Sequence, residues 1–227
     1  MTTHPTPPPQ GAGVGAWKLP KFYGLGMNMP DPARPDAAYQ LQRVRWACIA
    51  IQRELIRRGH LAVPVVLDGG WGPKSDAALR SFQKAVKLPV TGKAGRAEMA
   101  ILFGDFIIVW ERVLKIPDHL LWGTIRLESA LDPGAEGGVD NRDRGIGQYS
   151  RRWHPDVTDE VAFSRPDVCI ERTAFALRGA YDNLGNWDAA VAHHNNPAKA
   201  RSWAANGKAP DEQIKRYVEL VRQNGHP

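Results

Sequence analysis

The residue with the clearest potential for chemistry is Glu128, which lies near the end of a predicted helix over residues 118–130. Leu121, Ile125 and Glu128 recur at i, i+4 and i+7, so the three side chains share one helix face. A carboxylate on an apolar face is costly unless it is paired or protonated, and a carboxyl group that keeps its proton can serve as a general acid. The alternative is a solvated or ion-paired carboxylate, with two candidate partners, Arg126 and Arg144.

A polar loop follows this helix over residues 132–149 and is rich in glycine and aspartate. It is too polar for a core, and loops with many convergent polar groups are often functional. Asp140 and Asp143 lie in this loop and are candidates for a second carboxylate. For each one singly, an Asx turn or an ion pair with a neighbouring arginine is at least as good an interpretation.

Three short motifs extend the pattern: Glu128-Ser129, Gly145-Ile146-Gly147-Gln148, and the run from Ala192 to Pro197. In this order and spacing they resemble the lytic transglycosylase and goose-type lysozyme fold, in which the motifs are E-S, G-L-M-Q and A-Y-N-A-G. The resemblance spans residues 106–205 and implies an all-helical catalytic domain that cleaves peptidoglycan glycan strands. It implies that Glu128 is the catalytic acid and base, and it places five residues in the substrate cleft: Ser129, Gln148, Tyr149, His194 and Asn195.

The chain departs from this family pattern at three points. The interval from Glu128 to Gln148 is 20 residues, about two longer than expected for the transglycosylases. Gly147 replaces the usual methionine, which we expect to relax the packing below the cleft. His194 stands where the family has tyrosine, and the alternative for this histidine is a helix-end residue without a special role.

The reaction depends on what attacks the sugar after Glu128 protonates the bridging oxygen. In a transglycosylase the muramic acid's own hydroxyl attacks, a 1,6-anhydro product forms, and one carboxylate suffices. An inverting hydrolase needs a second carboxylate about 6.5 to 9.5 Å away to activate water. Asp140 and Asp143 resemble the Asp-bearing loop of goose-type lysozymes, so the sequence favours a transglycosylase and leaves the hydrolase open.

The region before the candidate catalytic helix predicts a second unit, over residues 37–104. Leucine, valine, cysteine and isoleucine recur at spacings of 3 and 4 from Leu41 to Leu55, which predicts one apolar helix face ending near Gly59. Beyond it, Leu67-Asp68-Gly69 followed by Gly72 is echoed 23 residues later by Val90-Thr91-Gly92 followed by Gly95. Each copy predicts a turn that opens a short helix.

These turns, with Trp71 and the run Ala78-Leu79-Arg80-Ser81-Phe82-Gln83, resemble the three-helix peptidoglycan-binding module. The resemblance covers residues 39–103 and implies that Asp68, Gly69 and Trp71 contact the cell wall. The alternative is a small helical domain whose glycines only make turns. Of the remaining tryptophans, four could stack on sugar rings, although core packing is the better interpretation for each: Trp122, Trp153, Trp187 and Trp203.

Charge and composition narrow the class of protein. The chain has 227 residues and a formal net charge of +6, and residues 37–104 alone hold 11 basic and 4 acidic side chains. Because the excess lies on the segment that resembles a wall-binding module, we expect anionic wall polymers and stem peptides as partners rather than nucleic acid. Residues 1–36, with 8 prolines and 5 glycines, predict an arm. Residues 105–227 form the predicted catalytic domain.

We therefore predict a mainly α protein with no metal or other cofactor, acting as a monomer on peptidoglycan. The longest apolar run is Trp46–Ile51, far below the roughly 20 residues of a membrane span, so no membrane insertion is expected. No lysine or arginine precedes Lys18 and no apolar h-region follows the N-terminus, so we expect no cleaved signal peptide. Synthesis in a host cytoplasm and action at the wall resemble a phage endolysin. A virion-borne lysin, an autolysin exported by another route and a catalytically inactive wall binder are the alternatives.

Overall fold

The structure is a computed structural model that describes residues 37–63, 67–137 and 143–225. In these ranges the chain is mainly helical, as the sequence predicts, with one short hairpin of strands β1 (Glu136–Gly137) and β2 (Asp143–Arg144). The helices are α1 (Ala37–Arg57), α2 (Pro73–Ala85), α3 (Arg96–Val113), α4 (Leu120–Ser129), α5 (Asp159–Ser164), α6 (Pro166–Leu184), α7 (Trp187–Asn195), α8 (Pro197–Asn206) and α9 (Glu212–Gln223).

The first three helices form the small helical unit that the two glycine turns predict. The 3 and 4 spacing along α1 buries Cys48, Ile51 and Leu55 completely. Both turns use glycine in the left-handed region, with φ of 73° at Gly69 and 70° at Gly92. A Cβ on Gly69 would lie 2.4 Å from the carbonyl oxygen of Arg45 in α1, so this turn needs glycine for its close approach as well as for its backbone angle.

Helix α3 joins this unit to the rest of the chain without a break. The sequence places a domain boundary between residues 104 and 105, and both lie inside α3. The helix continues through Gly104. The missing side chain of this glycine leaves room for the Trp122 ring of α4, which a Cβ would approach to 2.6 Å. One buried apolar cluster therefore runs from α1 to α9 rather than two separate cores.

Two of the C-terminal helices, α6 and α9, pack against α4. Helix α9 lies against α4 at Gly123, where a Cβ would come within 1.9 Å of the Val221 carbonyl oxygen. Asn186 and Asp211 accept backbone hydrogen bonds at the starts of α7 and α9. The helix predicted over residues 118–130 begins two residues later: a turn closed by the Leu120 N–H on the Pro117 carbonyl comes first, and α4 begins at Leu120.

Both cysteines lie in the helical core. Cys48 and Cys169 are both free and buried, and burial raises the pKa of each thiol to about 12. Both thiols therefore stay protonated at neutral pH and behave as small apolar side chains. Within the described ranges, no helix has the length and apolar content that crossing a bilayer requires.

Candidate active site

Glu128 lies in the last turn of α4, where the helix leaves the core. Its side chain is 21% exposed, whereas Leu121 and Ile125 on the same face are fully buried. The Tyr217 hydroxyl of α9 donates a hydrogen bond of 2.6 Å to Oε1 of Glu128. Nε2 of His194, near the end of α7, lies 3.9 Å from the same oxygen. Three helices thus bring their side chains to one carboxylate that solvent still reaches.

Tyr217 is suited to remain a donor in this arrangement. Burial and the negative charge of Glu128 both raise the pKa of the phenol, so it stays protonated at neutral pH. A hydrogen bond to an ionised acceptor is stronger than one between neutral groups. Tyr217 therefore holds one oxygen of Glu128 in place, and the close approach of α9 to Gly123 sets the distance between them.

The polar turn at residues 145–148 is fixed directly to the end of α4. The Ser129 hydroxyl is 2.9 Å from the Ile146 carbonyl oxygen and 3.1 Å from that of Ile125, and Ser129 is buried. Nε2 of Gln148 donates to the Gly145 carbonyl at 2.9 Å. Ser129 and Gln148, which the resemblance assigns to the cleft, therefore both bind backbone atoms of this turn.

Gly147 is explained by its neighbour Tyr149. A Cβ at position 147 would lie 2.4 Å from the Tyr149 ring and 2.9 Å from Oγ1 of Thr173. The expectation of relaxed packing at Gly147 is wrong, because the tyrosine ring fills the space. Tyr149 itself is buried, and its hydroxyl donates to the Cys169 carbonyl at 2.9 Å. Tyr149, predicted to bind substrate, thus lies beneath the site.

Asp143 is the second carboxylate near Glu128. It pairs with Gly137 in the hairpin, and its pKa is raised, first by burial and then by the negative charge of Glu128. A hydrogen bond with the Ser150 hydroxyl opposes this shift. The two carboxyl groups therefore interact electrostatically. Asp140, the other predicted candidate, lies outside the described residues.

The hairpin is held by a polar network that the sequence analysis did not find. Glu136 of β1, whose side chain is 6% exposed, accepts a hydrogen bond of 2.6 Å from the Tyr39 hydroxyl and lies 3.4 Å from Nε of Arg43. Arg43 also donates to the Gly134 carbonyl at 2.7 Å, and Arg151 donates to the Tyr39 hydroxyl. The first half of α1 thus anchors the strand that pairs with Asp143.

Two histidines, His154 and His194, also lie near the site. His194 is partly buried. The pKa of His154 is lowered, mainly by the burial of its own ring and to a smaller extent by the charge of His194. The His154 ring meets the Tyr149 ring edge-on, with 5.0 Å between centroids. Asn195, which the resemblance places in the cleft, ends α7 and is exposed.

In the small helical unit formed by α1, α2 and α3, one of the three predicted wall contacts is exposed. Asp68 is exposed and accepts a hydrogen bond of 2.7 Å from the Gly70 amide, which forms an Asx turn. Gly69 is buried, and Trp71, 9% exposed, belongs to the core. A pocket of about 460 Å³ lies beside this turn, lined by His60, Leu61, Ala62, Val63, Lys74, Ala77 and Ala78.

Comparison with known families indicates what the helical unit of α1, α2 and α3 binds. Residues 47–102 match the family model of a peptidoglycan-binding domain. The match begins inside α1 and ends inside α3, so it covers the three-helix unit and none of the residues around Glu128. Searches of curated proteins and of solved structures found no match.

The peptidoglycan-binding domain associates this chain with the bacterial cell wall. Tyr39 and Arg43 lie in α1, before the first residue of the domain match, and both contact the hairpin region. Because α1 continues into the matched residues, these contacts connect the wall-binding unit to the candidate site. Of the described ranges, none contains three His, Cys, Asp or Glu side chains placed to hold a metal ion. The site offers instead one accessible carboxylate, a neighbouring carboxyl group and two histidines.

Sequence reasoning missed Tyr217 and Glu136, which are central to this arrangement. Tyr217 lies 89 residues from Glu128, and Tyr39 lies 97 residues from Glu136. Helical periodicity reports only which residues share a local face, so it carries no signal for such long-range pairs.

Proposed function

We propose that this protein cleaves the β-1,4 bond between N-acetylmuramic acid and N-acetylglucosamine in peptidoglycan, with Glu128 as general acid and base. The observation that carries the proposal is the hydrogen bond of 2.6 Å from Tyr217 to Glu128, which holds one carboxylate that remains 21% exposed. The peptidoglycan-binding domain in the same chain would bring this carboxylate to its substrate.

The proposed mechanism uses the two oxygens of Glu128 differently. Tyr217 binds Oε1, so the carboxyl proton is delivered from Oε2 to the bridging oxygen as the glycosidic bond breaks. The carboxylate then removes the proton from the muramic acid C6 hydroxyl, whose oxygen bonds to C1. This closes the 1,6-anhydro ring and returns the proton to Glu128. Lytic transglycosylation needs no second carboxylate.

A second reaction, inverting hydrolysis, is favoured by one specific observation. Burial and, after it, the charge of Glu128 raise the pKa of Asp143, so the two carboxyl groups lie within electrostatic reach. An inverting muramidase needs such a second carboxylate, about 6.5 to 9.5 Å from the acid, to activate water. If Asp143 has this role, Asp143→Asn abolishes cleavage. If transglycosylation is the reaction, this variant retains it.

The proposal is tested by turbidity loss of purified sacculi with the native chain and Glu128→Gln. We expect the variant to be slower by about 10²- to 10⁴-fold, the usual contribution of a general acid or base. Glu212→Gln is the matched control, because Glu212 is 89% exposed on α9 and should lose nothing. Equal activity of native chain and Glu128→Gln would refute Glu128 as the catalyst. No activity in either would leave a wall binder without cleavage.

The joining of a peptidoglycan-binding domain to such a site is the arrangement expected of an endolysin, and we propose this biological role. An endolysin must degrade the wall of living cells once their membrane is opened. Production of the native chain in bacteria should therefore cause lysis when the membrane is permeabilised, and production of Glu128→Gln should not.

A further inference from the structure

Among the tryptophans in the described ranges, Trp153 alone is largely exposed. Its exposed fraction is 71%, against 3% for Trp122 and 8% for Trp203. Trp187 stacks on Tyr181, with ring centroids 4.1 Å apart. The expectation that Trp153 packs in the core is therefore wrong, since the segment carrying it runs over the surface.

Trp153 is also accompanied by a cation. The Arg152 guanidinium carbon lies 4.7 Å from the centre of the indole ring. This contact covers one side of the ring and leaves most of its surface open to a ligand. A large aromatic surface exposed in this way gains substantially when a partner covers it.

The segment that carries Trp153 is fixed to the rim of the candidate active site. The Ser150 hydroxyl hydrogen-bonds to Asp143, and the His154 amide donates to the Ser150 carbonyl at 2.8 Å. The charge of His194 lowers the pKa of His154, after the larger effect of burial, so the two rings interact electrostatically. Nε2 of His194 lies 3.9 Å from Oε1 of Glu128. Trp153 immediately precedes His154, so it belongs to the segment that borders the groups around Glu128.

We propose that Trp153 and Arg152 form an accessory glycan subsite at the rim of the Glu128 site, a deepening that rests on the function proposed above. The indole face packs on the C–H face of a sugar ring, because the negative face of an aromatic ring attracts the weakly positive C–H groups. Arg152 binds a carboxylate of the stem peptide that peptidoglycan carries on alternate sugars.

The test measures binding of soluble glycan strands by the full-length Glu128→Gln chain, so that cleavage does not interfere. Adding Trp153→Ala should weaken binding about two- to tenfold, the range that an aromatic contact contributes. Trp153→Phe keeps a ring and should recover most of this loss. Phe175→Ala is the matched control, since Phe175 is 51% exposed but packs against Trp110 on the α3 and α6 face.

The contribution of Arg152 is separated by using strands with and without stem peptides. Arg152→Gln should weaken binding to peptide-bearing strands more than binding to peptide-free strands, whereas Trp153→Ala should weaken both equally. In the catalytically intact chain, Trp153→Ala should raise KM and leave kcat unchanged.

Unchanged strand binding in Trp153→Ala, or an equal loss in Phe175→Ala, would overturn the subsite. These outcomes are distinct from failure of the proposed function, which would show as full activity of Glu128→Gln. Absence of strand binding in every variant, the parent chain included, would overturn both.

Discussion

The polar network between α1 and the hairpin makes a quantitative prediction for Tyr39→Phe. The change removes the hydroxyl that donates to Glu136 at 2.6 Å and accepts from Arg151, but keeps the ring. A hydrogen bond to a charged group contributes about 1.5–3 kcal/mol. The Glu136 side chain is 6% exposed, so water compensates little for the loss.

This free-energy loss corresponds to a fall in Tm of about 3–12 °C for a chain of this size. The assay is thermal and urea unfolding of the native chain, Tyr39→Phe, Glu136→Gln and the double variant. Because the two side chains share one bond, the double-mutant cycle should show a coupling of about 0.5–3 kcal/mol. Unfolding of the native chain should be a single transition, since one core runs through both segments.

The control is Tyr181→Phe, because the Tyr181 hydroxyl makes no hydrogen bond with the described part of the chain and the ring stacks on Trp187. Its Tm should change by no more than about 1 °C. The reasoning fails if Tyr39→Phe is as stable as this control, if the effects of Tyr39→Phe and Glu136→Gln simply add, or if the peptidoglycan-binding domain unfolds in a separate transition.

Three further predictions concern the site itself. Tyr217→Phe should lower kcat/KM about tenfold with little change in Tm, because a charge-assisted bond to the partly exposed Glu128 is lost at the lower end of about 1.5–3 kcal/mol; sacculus turnover with the native rate contradicts this. Gly123→Ala should reduce both Tm and activity, because its Cβ would meet the Val221 carbonyl and push α9 away; a normal Tm contradicts the close packing. Burial lowers the pKa of His154, so the unfolded chain binds this proton at higher pH, and stability should fall as pH drops below about 6.5. Urea unfolding at pH 8 and pH 5.5 should show a smaller fall for His154→Gln, and an unchanged fall contradicts the assignment.

Much of the local structure could be predicted from the sequence, since helix faces and caps depend on residues a few positions apart. The predicted apolar face of α1 is confirmed from Val44 to Leu55, whereas Leu41, at its start, is exposed. The three-helix unit was recognisable because its two turns need glycine at fixed positions, and Gly69 and Gly92 adopt the required positive φ.

The errors have a common physical cause, which is packing between distant segments. The sequence places a domain boundary after Gly104, and it carries no sign that this glycine is a contact point for Trp122 inside a continuous helix. Gly147 was expected to loosen the core, but the Tyr149 ring occupies the space. A glycine in the sequence shows only that a side chain is missing, and what fills the gap is decided by the tertiary fold.

The candidate site was predictable only in part for the same reason. Glu128 could be selected from its helix face and the motifs that follow it. Its partner Tyr217 comes from α9, and the hairpin anchor Tyr39 comes from α1, each about 90 or more residues away. These contacts depend on how α9 and α1 pack, which local patterns do not encode.

The most direct test of the central claim is mass spectrometry of the muropeptides released from purified sacculi by the native chain. Lytic transglycosylation by Glu128 predicts products with a 1,6-anhydro ring at muramic acid and no release by Glu128→Gln. Reducing muramic acid ends would contradict transglycosylation and indicate hydrolysis. Release of the same products by Glu128→Gln would contradict the role of Glu128 itself.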